Sequence, residues 1–176
     1  MPEPFAEMLA GGHPNSLGRT VEVVEAVLAD PLRMRELVAC YDNGDPVVRL
    51  RTSNALKRIE AVDGGLVASY LPRILAKAIH IDQPSVHWTL AQLFRRQNLT
   101  DHRWRRIEGT ALELLKRNLT RYDDWIVLTQ TIATLEVWAQ DDAELRRWLR
   151  PQLERLAHDP RKSVATKATR ALKALG

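Results

Sequence analysis

DPVVRLRTSNALKRI, residues 45–59, places Val48, Thr52, Ala55, Leu56 and Ile59 at offsets 0, 4, 7, 8 and 11. That spacing is one face of an α-helix. The stretch DPRKSVATKATRALKAL, residues 159–175, puts Val164, Ala168, Ala171, Leu172 and Leu175 at the same offsets. Between them, Val127, Thr131, Thr134, Leu135 and Trp138 satisfy the pattern in full. Val86, Leu90, Leu93 and Phe94 satisfy it with a polar Gln97 at the last offset. The four anchors Val48, Val86, Val127 and Val164 are spaced 38, 41 and 37 residues apart. A degenerate earlier copy begins at Leu17, with Val21, Val24 and Leu28, its register ambiguous by one residue.

The segments between the anchors repeat independently. Pro72 and Pro151 stand in similar contexts 79 residues apart, which is also the distance from Val48 to Val127. Each unit therefore reads as two helices joined by tight turns, and no run of period-two alternation is long enough for a strand. The predicted helices cover 4–10, 16–29, 32–42, 46–61, 66–79, 84–97, 101–118, 122–139, 142–157 and 160–174, punctuated by Gly11-Gly12, Asn43-Gly44 and Gly64-Gly65. RRQNLT (95–100) and LKRNLT (115–120) each offer Asn as a left-handed helix end, with Thr to cap the next helix. Pro72 and Pro151 are expected either to kink their helices or to mark a first turn. Paired helices of this kind bury their apolar stripes against the next pair and so build a continuous core.

Asp45, Pro46, Val48, Arg49, Thr52, Ser53, Ala55, Leu56 and Ile59 occupy the places of Asp-Pro, Val-Arg, two small residues, Ala-Leu and a final aliphatic. In that order the segment resembles one helix of a HEAT repeat. The closing copy departs from the pattern in having Ala165 where the Arg stands, and the resemblance extends over residues 16–175. It implies an all-α chain forming a right-handed α-α superhelix, a HEAT-like solenoid of four to five helical hairpins. Residues 1–176 are expected to form a single domain, with 1–15 an N-terminal cap or poorly ordered segment. HEAT arrays serve as scaffolds, regulators, nucleic-acid binders and occasionally enzymes, so the resemblance implies no chemistry by itself.

Composition narrows the classes. The chain is 45% apolar and 27% charged, a soluble globular balance. No stretch approaches a spanning helix, and the opening residues lack a signal-peptide pattern, so membrane association is not expected and a cytoplasmic location is. The single cysteine, Cys40, excludes an internal disulfide and a multi-cysteine zinc site. His13, His80, His87, His102 and His158 show no ligand spacing and no adjacent His-Glu pair, so no metal or other cofactor is expected. No P-loop or GxGxxG pattern occurs around the paired glycines. Charge is uneven: residues 1–94 carry 9 basic and 11 acidic side chains, and residues 95–176 carry 17 and 11. The second half is thereby expected to meet something anionic.

Of the five Trp residues, three have packing explanations. Trp104 and Trp148 lie on helical stripes, and Trp138 occupies an anchor offset. Trp125 and Trp88 stand off the apolar stripe, and Trp88 is a candidate contact residue. The step of 41 residues carries Arg105 onto Arg146 and Arg106 onto Arg147, with Arg103 and Arg150 beside them. On neighbouring helices these would form like-charged rungs able to fork carboxylates or phosphates. Arg103, Arg105, Arg106, Arg146, Arg147, Arg150 and Trp88 are thus the candidate partner-binding residues, with no catalytic residue among them. Glu108, Glu113, Asp141, Asp142 and Glu144 interrupt that surface, which favours an acidic protein or peptide over a continuous phosphate backbone. The expected function is a non-catalytic protein-interaction scaffold using the concave face of the solenoid, with no small-molecule substrate evident. The alternative is nucleic-acid binding, including an alkylpurine DNA glycosylase-like reading. Asp123-Asp124-Trp125 is the acid and Trp cluster for that reading, with Asp123 as a natural helix N-cap and Asp124 suited to the first turn.

Overall fold

The computed structural model describes residues 2–96 and 102–176, and the side chains of all of these but 102 and 103. The described residues form α-helices and short 3₁₀ turns with no strand: α1 Phe5–Leu9, α2 Thr20–Ala29, α3 Met34–Ala39, α4 Pro46–Val62, α5 Gly64–Ala78, α6 Pro84–Arg95, α7 His102–Arg105, α8 Glu108–Arg121, α9 Trp125–Trp138, α10 Ala143–Leu156 and α11 Lys162–Leu175. Aspartate starts four of them. Asp45 accepts from the Val47 amide, Asp63 from Leu66, Asp124 from both Ile126 and Val127, and Asp142 from Leu145. Each bond satisfies a backbone donor that the first turn leaves without a carbonyl, and the carboxylate complements the positive end of the helix dipole.

The helices that carry the repeat anchors touch one another in series: α2 packs on α4, α4 on α6, α6 on α9 and α9 on α11. The most extensive of these contacts joins α6 and α9. Their partners lie alongside, α5 against α4 and α6, α8 against α9, and α10 against α11 and α9. Val48, Thr52, Ala55, Leu56 and Ile59 of α4 are all buried, as are Val86, Leu90, Leu93 and Phe94 of α6. The same holds for the five anchors of α9 and for Val164, Ala168 and Ala171 of α11, while Leu172 and Leu175 are half-buried at the chain's end. Gln97 lies outside the described residues. One apolar cluster runs from Phe5 to Ala171. At its centre, Phe94, Trp104 and Trp138 bring α6, α7 and α9 together, with the two indoles edge to face at 5.2 Å.

Several local expectations are corrected. The first repeat copy registers on Ser16, not Leu17: Thr20, Val23, Val24 and Val27 are buried against α4, while Leu17 and Val21 face solvent. The predicted helix 16–29 starts only at Thr20, because Gly18, inside the predicted span, stands at positive φ. The predicted helix 32–42 is a two-turn α3 flanked by 3₁₀ turns. The predicted helix 101–118 is broken at Arg106 and Ile107. Beyond that break, α8 runs on through Asn118 to Arg121, so LKRNLT is no helix end. Asn118 is buried inside α8, and no described non-glycine residue has a positive φ. The NLT of RRQNLT falls outside the described residues. Pro72 and Pro151 mark no first turn; each is the ninth residue of its helix, α5 and α10 respectively.

α1 folds back onto α2, α3 and α4, burying Phe5 and Leu9. The loop between α1 and α2 is gathered around Arg51 of α4. Its guanidinium donates to the carbonyls of Leu9, Ala10, Gly11, His13 and Ser16 at 2.6–3.3 Å. Arg51 is only 2% exposed and has no ion-pair partner among the described residues, so main-chain dipoles alone balance its charge.

Candidate functional site

The break at Arg106–Ile107 decides the fate of the predicted arginine rungs. Arg105 ends α7 and Arg106 lies in the link to α8, so neither holds a helical position equivalent to Arg146 or Arg147 in α10. Arg146 spends its guanidinium on the end of α9, donating to the carbonyls of Ala139 at 3.2 Å and Gln140 at 2.5 Å. Arg150 donates to the carbonyl of Gly176. Arg105, Arg106 and Arg147 are exposed, and the side chain of Arg103 lies outside the described residues. Trp88 is half-buried on α6.

A different basic surface is assembled by the row of anchor helices. Between α9 and α11, reaching the end of α6, runs an open groove of about 700 Å³. Trp125, Thr129, Gln130 and Ala133 supply one wall, Lys162, Ser163, Thr166, Lys167 and Arg170 the other, and Arg95 closes one end. The two walls are the same repeat positions. Trp125, Thr129, Gln130 and Ala133 precede Lys162, Thr166, Lys167 and Arg170 by 37 residues each, the spacing of the Val127 and Val164 anchors. They form the solvent-side strip beside the buried stripe. Trp88 holds on α6 the position that Thr129 and Thr166 hold on α9 and α11, which places it in the same register along the row.

The electrostatics are one-sided. No carboxylate lines the groove among the described residues. Arg95 donates to Gln130 at 3.0 Å, and Lys167 reaches Glu136 at 3.0 Å from outside the lining. Lys162 and Arg170 have no side-chain partner among the described residues. Further cations follow along the row, Arg96 paired with Glu60: burial, together with the Arg96 charge, lowers the pKa of Arg95, and burial, Arg58 and Arg96 do the same to Lys57 of α4. Trp125 is 50% exposed, the one indole of the chain with so open a ring among the described residues. Planar rings beside guanidinium and ammonium groups provide a stacking surface next to an anion site.

The acid pair beside Trp125 is structural. Asp124, not Asp123, is the N-cap of α9. Asp123 is exposed and pairs with Arg161 at 3.2 Å, and Arg161 also binds Asp159 at 2.8 Å, holding that carboxyl down to about 2. Neither Asp123 nor Asp124 lines the groove. No protein-family profile matches the chain, and no curated protein matches it in sequence. The molecule's own geometry therefore carries the functional reading.

Elsewhere, Cys40 is buried and its thiol is pushed up to about 11 by that burial, which keeps it protonated and unreactive near neutral pH. Among the described residues no group of three or more His, Cys, Asp or Glu side chains is placed to hold a metal ion. No described helix is long and apolar enough to cross a membrane.

Arg95, Lys162, Lys167 and Arg170 do not stand out in the sequence, where the arginine pairs that recur across the step of 41 residues lie at 103–106 and 146–150. A usable signal was present: reading the anchor register outward by two, three and six positions collects Lys162, Lys167, Arg170 and Trp125 onto one strip, while Arg95, nine positions past Val86, falls outside it.

Proposed function

We propose that the chain is a non-catalytic interaction module, a short right-handed superhelix of four to five HEAT-like hairpins whose anchor helices α4, α6, α9 and α11 form a concave face for an acidic protein segment. The serial contacts of those helices and the shared repeat positions of the groove walls support the array. The observation that carries the binding site is the α9–α11 groove, with Arg95, Lys162, Lys167 and Arg170 around a lining free of carboxylates among the described residues. Arg170 can fork a carboxylate with two parallel hydrogen bonds, while Lys162 acts as a mobile point charge. Trp125 supplies a flat apolar surface for a side chain of the same segment. The lining is suited to holding an anion; among the described residues it presents neither an imidazole nor a carboxylate for proton transfer.

One observation favours a second reading, nucleic acid. The acidic residues that interrupt the Arg103–Arg150 surface do not line the groove, and an exposed indole flanked by cations also suits an unstacked base.

Anisotropy titrations of a labelled oligoglutamate peptide, a single-stranded oligonucleotide and a duplex, at low and moderate salt, separate the readings. The acidic peptide is expected to bind the parent and to lose about tenfold or more in affinity in the double variant Lys162→Glu, Arg170→Glu. Tighter binding of the oligonucleotides, with a steep negative salt slope, would replace the protein partner by nucleic acid. Equal binding by parent and variant would remove the groove from the site.

A further inference from the structure

A second cavity, sharing no lining residue with the groove, lies where the α5–α6 turn meets α8. It measures about 330 Å³, and Ile79, Ile81, His87, Arg117, Arg121 and Tyr122 contribute to its lining. Its walls are fixed by polar contacts that α6 and α8 do not need for apolar packing. The His87 imidazole bonds the Ile81 carbonyl through Nε2 at 2.8 Å and Asn118 through Nδ1 at 3.1 Å. A carbonyl only accepts, so Nε2 carries the proton and Nδ1 accepts from the Asn118 amide. The His87 and Tyr122 rings lie 4.9 Å apart, and the Tyr122 hydroxyl donates to Asp82 at 2.9 Å. That last bond engages the carboxylate that lines this cavity.

Arg117 and Arg121 stand one turn apart on α8 and line both this cavity and a wider adjoining groove of about 730 Å³. Both are exposed, and neither guanidinium has a partner among the described residues. Like charges at that spacing oppose helix formation by a few tenths of a kcal/mol. Nearby Lys116, by contrast, is neutralised by Glu113 at 3.5 Å and covered by Trp148. Two forks with no partner among the described residues thus line a cavity together with two rings and two isoleucines, beside His80, Asp82 and Asn118.

We propose that this cavity binds a phosphomonoester carried on a flat ring, the phosphate forked by Arg117 and Arg121 and the ring seated among Ile79, Ile81, His87 and Tyr122. A dianionic phosphate relieves the repulsion between the two guanidinium groups and offers three acceptors to their donors. The ring accounts for the aromatic and aliphatic part of the lining, which a bare anion would not use.

Calorimetric titration of the full chain with phenyl phosphate, inorganic phosphate and phenol at low salt tests this. Phenyl phosphate is expected to saturate one site, at least about tenfold tighter than inorganic phosphate, with phenol not binding. Arg117→Gln, Arg121→Gln, both at exposed positions, should weaken phenyl phosphate about tenfold or more with the helical circular-dichroism signal unchanged. The Lys162→Glu, Arg170→Glu variant should bind it as the parent does, which separates this site from the groove. Adenosine monophosphate and a short phosphotyrosine peptide, titrated alongside, distinguish a nucleotide from a modified protein as the source of the ring. No saturation by phenyl phosphate at millimolar concentration, or unchanged binding in the arginine variant, overturns the site. Equal affinity for inorganic phosphate overturns the ring.

Discussion

Arg51 is the residue on which the N-terminal third is built, because one buried guanidinium organises five carbonyls of a loop that has no regular structure of its own. Gly18 shows how closely that loop is drawn in. Its φ is +51°, and a Cβ placed there would stand 2.8 Å from the Arg51 guanidinium carbon. Gly11, at φ +69°, would place a Cβ in open space. Gly11→Ala is therefore expected to cost about 1 kcal/mol for the left-handed backbone alone. Gly18→Ala is expected to cost roughly 2–4 kcal/mol because the clamp must also shift. Urea denaturation of both variants checks the difference, and equal midpoints would mean that Arg51 does not hold the loop. Nothing in the sequence marks this role, since Arg51 sits two residues from the pattern Arg, Arg49, and looks like a second surface charge. His87 is a comparable case. Burial lowers its pKa below the ordinary 6.5, against the Ile81 bond that raises it and with the Arg117 charge adding to the lowering. The folded state thus keeps the ring neutral, and the unfolded chain takes up the proton first as pH falls. Stability from this group is complete above 6.5 and is lost on acidification from there downward. Urea midpoints measured across that range should fall with acidification more steeply in the parent than in His87→Gln; equal slopes would leave His87 out of the acid response.

At the scale of the helix, the anchor offsets were legible because burial against two neighbours leaves an uninterrupted stripe, and α4, α6, α9 and α11 bury the described residues it names, save the last two of α11. Ala55 and Ala171 share offset 7 and are fully buried, where a small side chain permits close approach of the next helix. Ala55→Leu is expected to overpack α4 and to cost roughly 1–3 kcal/mol. An unchanged denaturation midpoint would place that residue at a yielding edge of the core. What was not legible was helix continuity. Asn118 reads locally as a stop, yet its amide is satisfied across the interface by His87, 31 residues away, and α8 continues. The break at Arg106–Ile107 has no Gly or Pro to announce it. Just ahead of it, Trp104 packs into the Phe94–Trp138 cluster, a contact made across α6 and α9. Such long-range partners outweigh local propensity, and a single sequence does not display them.

For the whole molecule, the uneven charge is the basis for proposing an anionic partner for the second half, but it does not point to one face. Adjacent arginines suggested the α7–α10 surface; the fold spends Arg146 and Arg150 on main-chain carbonyls and gathers cations instead along the row of anchor helices. In the proposed reading the serial row that supplies the core also supplies the site, since the strips beside the buried stripes of α9 and α11 face each other across a groove. The indole region of a ¹H–¹⁵N correlation spectrum, recorded while an oligoglutamate peptide is added, reads this most directly. The Trp125 signal is expected to move saturably, while the signals of buried Trp104 and Trp138 stay in place. A spectrum in which Trp125 stays fixed while the backbone signals of Arg105, Arg106 and Arg147 move would contradict it and return the site to the other face.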